Sequence, residues 1–276
     1  MTENKQLKMT GERAVPGDVR TIVEYVQLLR HEFVYRQVQK LLKPEDRVLE
    51  IGFGEGYGTK LLSESCLEII GIDVEQEVVP YANDKYGSDK CKFQYYEGGK
   101  LPFESSSFDA VVTFQVIEHI KDDKAFVSEI SRVLKPGGTL YVTTPNKATR
   151  LKPGEKPWNR FHVREYYAKE LQELLAGIFP DAHVYGINAT ESIREMEFAR
   201  MKRKGIIGLA LKFGVRRIIP QAFDPFFARL IGIVRGYEKV DKSNQDVKGS
   251  YSLKDFWIDK ENIDESLDLI GFCPKN

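Results

Sequence analysis

The residues best placed to do chemistry lie in Arg47-Val-Leu-Glu-Ile-Gly-Phe-Gly-Glu-Gly-Tyr-Gly58, where a short apolar run breaks into four glycines at alternate positions. Such a run predicts a buried strand that turns sharply into a helix. Gly52, Gly54 and Gly56 let the backbone come within contact distance of a ligand, and a side chain at any of them is expected to occupy the ligand's space. One acid, Glu50, heads the pattern. A second, Asp73, stands 21 residues after Gly52 at the end of the next apolar run, where a carboxylate can accept hydrogen bonds from both hydroxyls of a ribose. A dinucleotide fingerprint needs a further glycine three residues after the second, and Tyr57 occupies that position.

The elements that must hold these residues follow from periodicity. After the turn Gly11-Glu-Arg-Ala-Val-Pro-Gly17, Asp18 can cap an amphipathic helix reaching Leu42, with Ile22, Val26, Leu29, Phe33 and Val38 at helical spacing. The glycine-bearing strand comes next, and a helix continues from Thr59 to Ser65. Further strands are predicted at 67–73, 91–96, 108–114 and 139–144, with helices at 75–85 and 123–134. A helix at 164–175, a sixth strand at 182–188 and a seventh at 269–273 complete the pattern. Alternating strands and helices predict a parallel, doubly wound α/β sheet. The chain divides into an N-terminal segment and helix (1–45), a core (46–189), a mostly helical insertion (190–250) and a return to the core (251–276).

Composition excludes several classes. With 42% hydrophobic and 30% charged residues the chain is an ordinary globular protein, and its formal charge of zero argues against a dedicated nucleic-acid binder. The polar opening Met1-Thr-Glu-Asn-Lys-Gln-Leu-Lys8 lacks the apolar core of a secretory signal, and no apolar run reaches the length of a membrane span. Three widely spaced cysteines in no metal or CxxC pattern fit a reducing cytoplasm, and no metal site is expected.

Several segments in register resemble the class I S-adenosylmethionine (SAM) dependent methyltransferases. They are the glycine stretch, Asp73, Glu97-Gly-Gly-Lys-Leu-Pro-Phe103 with Ser107-Phe-Asp109, Phe114-Gln-Val-Ile-Glu-His119 and Leu134-Lys-Pro-Gly-Gly138. Thr10-Gly-Glu-Arg-Ala-Val-Pro16, His31, Tyr35, Thr144-Pro-Asn146 and Phe161-His-Val-Arg-Glu165 are similar to a methyltransferase-11-type subgroup often associated with glycan or cell-envelope biosynthesis. The resemblance implies a Rossmann-like seven-stranded methyltransferase sheet and SAM as cofactor, held by Glu50, Gly52, Gly54, Gly56, Asp73 and Val74. It further implies Glu97 at the adenine amino group, the Gly98 backbone at the ring nitrogen, and Gln115 or Glu118 at the cofactor's amino group. Glu12 and Arg13 are read either as a lid over SAM or as a surface salt bridge.

The chemistry implied is in-line displacement at a sulfonium methyl, most readily to an oxygen of a small-molecule, glycan or lipid-linked acceptor. Transfer to nitrogen or carbon, and a non-catalytic SAM-binding regulator, are the alternatives. Nucleic-acid bases are disfavoured because Phe114-Gln-Val-Ile stands where an Asn/Asp-Pro-Pro-aromatic segment would follow the fourth strand. An oxygen nucleophile needs a base, and histidine suits neutral pH. His119 is a base or substrate contact, or a cap of the next helix; His162 is a loop candidate, and Arg164 beside it could hold an anionic group. His31 faces the site or packs in its helix, and His183 belongs to strand surface. The basic, amphipathic stretch 200–236 suits a membrane surface, a helical lid or a homodimer contact.

Overall fold

The computed structural model describes residues 16, 19, 21–152, 154–157, 159, 161–212 and 249–276, with the backbone alone for 202–212. β1 (Arg47–Ile51) is dry on both faces: Val48 packs with helices of one layer, Leu49 and Ile51 with those of the other. Parallel sheets between two helical layers provide that environment. β2 (Glu68–Asp73), β3 (Cys91–Tyr95), β4 (Phe108–Phe114) and β5 (Leu134–Pro145) join it in the parallel order β3-β2-β1-β4-β5. The sheet continues with β8 (Asp268–Pro274), β6 (His183–Ala189) and β7 (Phe256–Asp259), each antiparallel to the strand before it.

The sheet therefore has eight strands, not seven, and is mixed rather than wholly parallel. The additional strand, Phe256-Trp-Ile-Asp259, is only four residues long and flanked by charged residues, too short for alternation to register. Pairing with β6 forms it, with Phe256 buried and Trp257 exposed.

α1 (Ile22–Gln39), α2 (Tyr57–Leu62) and α3 (Val78–Tyr86) cover one face; α4 (Asp123–Val133) and α6 (Ala168–Ala176) cover the other, with the short α5 (Lys147–Arg150) between them in sequence. α1 starts later than expected because Thr21 and Glu24 form a reciprocal capping box, each side chain bonding the other's N–H at 3.1 Å. Asp18 lies outside the described residues. α6 starts at Ala168 rather than Arg164 because Tyr166 bridges to Asn146 in extended conformation. α7 (Glu191–Lys212) opens the insertion; 213–248, which hold most of the basic stretch, lie outside the described residues. Among the described residues no helix is long and apolar enough to cross a membrane.

A buried ionic cluster joins α1, α7 and β8: Arg30 lies 3.4 Å from Glu197 and 3.1 Å from Asp268, and Arg200 lies 2.7 Å from Glu197. Charges this dry are tolerated only when paired, so the cluster fixes how α1 crosses the sheet. α1 also crosses α2 closely. A Cβ built on Gly58 would stand 2.0 Å from Tyr35 Cζ, and Tyr35 cannot retreat because its hydroxyl donates to Glu50 at 2.6 Å. Gly58→Ala should therefore cost about 1–3 kcal/mol in thermal denaturation. Gly177→Ala, where the nearest atom is 3.5 Å from the built Cβ and the backbone is helical, should leave stability unchanged or raised.

Candidate active site

Strand order reverses between β1 and β4, which leaves a crevice beyond their C-terminal ends. A cavity of about 1000 Å³ opens there, large enough for a cofactor and an acceptor together. Its wall includes Gly52, Gly54, Asp73 and Val74 from the turns after β1 and β2, Gly98 after β3, Gln115 and His119 after β4, and His31 from α1. The sheet topology thus brings together eight of the residues singled out from sequence.

The three glycines differ in what they make room for. All have positive φ, at +82°, +61° and +95°. A Cβ on Gly52 would meet Val116 Cγ2 at 2.4 Å, and one on Gly56 would meet Phe93 at 3.0 Å and Ala82 at 3.1 Å. Those two glycines make room for protein, a correction to the expectation that all three clear space for ligand. Only at Gly54 is the Cβ position open, with nothing within 4 Å. Gly54 N–H donates to Asp73 Oδ2 and Glu75 N–H to Oδ1, both at 2.9 Å. These two backbone donors fix the orientation of the Asp73 carboxylate at the cavity wall. Val74, 59% exposed, offers an apolar surface beside it. Gln115 adopts a left-handed backbone (φ +57°) that non-glycine residues rarely take, held by its N–H donating to the Thr143 carbonyl at 3.0 Å.

The other sequence candidates stand behind the wall or away from it. Glu50 is buried under the end of β1; burial, opposed by the Thr59 and Tyr35 hydroxyls, pushes its carboxyl up to about 7. Glu97 is exposed and not part of the wall, whereas its neighbours Tyr96 and Gly98 are. Glu118 is buried behind His119, with Thr144 Oγ1 donating to its carboxylate at 3.0 Å; burial pushes this carboxyl up to about 8. Arg164 does not face the cavity, because its guanidinium pairs with Asp123 and donates to the Lys121 carbonyl at 2.7 Å. Arg13 and Glu12 lie outside the described residues.

The histidines divide by environment. His31 is in the wall, where burial and then the Arg30 charge pull its imidazole down to about 4, so it is neutral at physiological pH. His119 ends a 3-10 turn (Ile117–His119) and does not cap α4, whose cap is Asp122 accepting from Ala125 N–H at 3.0 Å. Its Nδ1 is 3.0 Å from the Phe161 carbonyl, which can only accept, so Nδ1 carries the proton. His162 lies behind it, ring centroids 4.9 Å apart and perpendicular, with Nδ1 2.9 Å from Glu165 Oε1. His183 is exposed on β6.

Sequence reasoning assigned no site role to Tyr35, one helical turn after His31 and on the same wall, or to Phe161 and Lys100. It also missed Glu55, a buried wall residue that accepts from Tyr81 at 2.7 Å, Lys85 at 2.6 Å and Tyr86 at 2.8 Å. Tyr81 and Lys85 at i,i+4 on α3 were the available signal.

Fold and site define a Rossmann-like protein built to hold a nucleoside-bearing cofactor. Residues 49–142 match the model of a methyltransferase domain. The chain is 41% identical over 169 residues to a probable S-adenosylmethionine-dependent methyltransferase of Mycolicibacterium smegmatis, spanning 61% of this chain and 63% of that protein. It is 36% identical over 193 residues to one from Mycobacterium tuberculosis, spanning 69% and 68%. The chain belongs to the SAM-dependent methyltransferases. The [4+2]-cyclase SpnF shares the fold, with a TM-score of 0.55 and 22% identity over 90% of this chain and 81% of that one. The open Cβ position at Gly54, the oriented Asp73 carboxylate and the buried Tyr57 hydroxyl, which has no partner among the described residues, all fit SAM.

Glu50 makes stability depend on pH. Its carboxyl titrates near 4.5 when unfolded and about 7 when folded, so the folded state holds the extra proton between those values. The contribution of Glu50 to stability is full below pH 4.5, falls as pH rises through 7, and is lower above by about 3 kcal/mol. Glu50→Gln should remove that fall: its melting temperature relative to wild type should rise between pH 5 and pH 8 in cofactor-free protein. Parallel curves would contradict the assignment.

Proposed function

We propose that the chain transfers the methyl group of SAM to an oxygen of a small-molecule, glycan or lipid-linked acceptor that enters between α1 and His119. One observation carries this reading: a single cavity runs from the Gly54–Asp73 cradle to a wall holding His31, Tyr35, His119 and Phe161. The adenosine end is read as Asp73, Val74, Tyr96 and Gly98, and the methionine end as the turn at Gly52 and Gln115. Bound SAM supplies an electrophilic methyl on a sulfonium. The remaining work is alignment and exclusion of water, worth about 7–11 kcal/mol at best. Tyr35, Phe114 and Phe161 give the acceptor end aromatic walls.

His31, with an imidazole near 4, is a weak base at neutral pH, and we assign it to hydrogen bonding with the acceptor. We assign His119 to the nucleophilic atom: with the proton on Nδ1, Nε2 carries the lone pair that can draw the hydroxyl proton. Sharing a fold with a cyclase does not weaken this reading, because chemistry lives in the site and not the fold. Membership of the glycan or cell-envelope subgroup, and membrane or dimer contact through 200–236, belong to the same reading on sequence pattern alone.

The test is release of S-adenosylhomocysteine on incubation with SAM and panels of hydroxylated glycans, lipid-linked sugars and amines. Release should require a hydroxyl acceptor. His119→Ala should lower kcat about 10²–10⁴-fold with SAM affinity unchanged. Turnover with amines alone, insensitive to His119→Ala, would replace oxygen with nitrogen as the acceptor atom.

A further inference from the structure

Glu118, His119 and His162 converge although the last is distant in sequence: one ligand atom from each lies within 4.8 Å of the others. Donors around a tetrahedral ion held at about 2.0–2.1 Å stand about 3.4 Å apart, so modest side-chain rotation would draw these three in. Hydrogen bonds hold each of the three from behind. His162 Nδ1 is 2.9 Å from Glu165 Oε1, and the other Glu165 oxygen accepts from Arg150 at 3.1 Å. The Arg150 guanidinium beside it makes Glu165 a carboxylate that can only accept, so His162 Nδ1 is the donor. His119 Nδ1 donates to the Phe161 carbonyl at 3.0 Å. Both rings are thus fixed in the tautomer that puts the lone pair on Nε2, the arrangement in which metal-ligating histidines are held from behind by a carboxylate or carbonyl. Glu118 is likewise steadied by Thr144 at 3.0 Å.

We propose that Glu118, His119 and His162 bind one divalent first-row transition-metal ion at the acceptor end of the cavity. Two imidazoles and a carboxylate suit ions of the zinc, cobalt and manganese group, and three protein donors leave positions open for an acceptor's oxygen. His119 belongs to the cavity wall, so the ion would be reached from the cavity. The inference rests on reading that cavity as the site of methyl transfer, and deepens it. A divalent ion acidifies a hydroxyl and fixes its direction, which points to an oxygen acceptor. The hydroxyl proton passes to solvent, the oxygen pair forms the new bond to the methyl carbon, and the pair of the broken carbon–sulfur bond stays on sulfur. In that state His119 holds the ion instead of taking the proton.

The test needs neither SAM nor acceptor. Co²⁺ is titrated into full-length, chelator-treated protein and followed by visible absorption, with pulsed electron paramagnetic resonance of bound Mn²⁺ as a second probe. The expected result is one equivalent of Co²⁺ with ligand-field bands, and coupling of Mn²⁺ to two imidazole nitrogens. His162→Ala should weaken Co²⁺ binding at least about 10-fold, and Glu165→Gln, which removes no ligand, about 10–100-fold. No saturable band and no imidazole coupling in folded wild type would overturn the proposal even if every variant failed to fold. So would Co²⁺ binding that His162→Ala, folded by circular dichroism, leaves unchanged. SAM-dependent turnover by metal-free protein would reject the ion's role and leave the methyltransferase reading standing.

Discussion

The left-handed backbone after β1 is the constraint on which the rest depends. Gly52, Gly54 and Gly56 turn the chain back on itself within five residues, and Asp73 holds the turn by accepting from Gly54 N–H. The turn can exist only if β1 and β2 lie side by side in register, which the pairing of Ile51 with Ile72 provides. It can face a ligand only if β4 continues on the other side without filling the crevice. Val116 packs against Gly52 from that side, and the strained Gln115 redirects the chain toward His119. Sheet order, turn and cavity are one arrangement seen at three scales.

The cavity wall at His119 is held by polar contacts behind it. Asp123 takes hydrogen bonds from Arg164 and from the Tyr166 hydroxyl, and the Glu118 carbonyl accepts from Val163 N–H at 2.8 Å. These contacts lay the 161–166 segment against the turn after β4, which lets the Phe161 carbonyl reach His119. Arg164 is thereby a positioning residue, although its charge suggested an anion site. Buried groups of this kind stabilise only when fully partnered, so the loop is placed closely or not at all.

Much of the fold was legible because its signals are local. Gly-x-Gly-x-Gly demands a turn, Val48 to Ile51 demand two dry faces, and Asp73 at a strand end demands a polar partner. The cavity wall was legible where a residue's place follows from the strand it terminates, as for Asp73, Val74, Gly98, Gln115 and His119. It was not legible where the role depends on which neighbour arrives from elsewhere. Gly56 meets Phe93 rather than a ligand, Glu97 turns to solvent, and His162 and Glu118 find each other only through the return of the 161–166 loop. The edge strand at Phe256–Asp259 was missed for the same reason, since pairing with β6 creates it and four residues carry too little pattern.

Calorimetric titration of the whole chain shows whether the Gly54–Asp73 cradle binds the nucleoside of SAM. SAM and S-adenosylhomocysteine should each bind at one site, Asp73→Ala should lose most of that affinity, and NAD and NADP should give no heat. Binding of NAD, or SAM affinity indifferent to Asp73→Ala in a folded variant, would contradict the account.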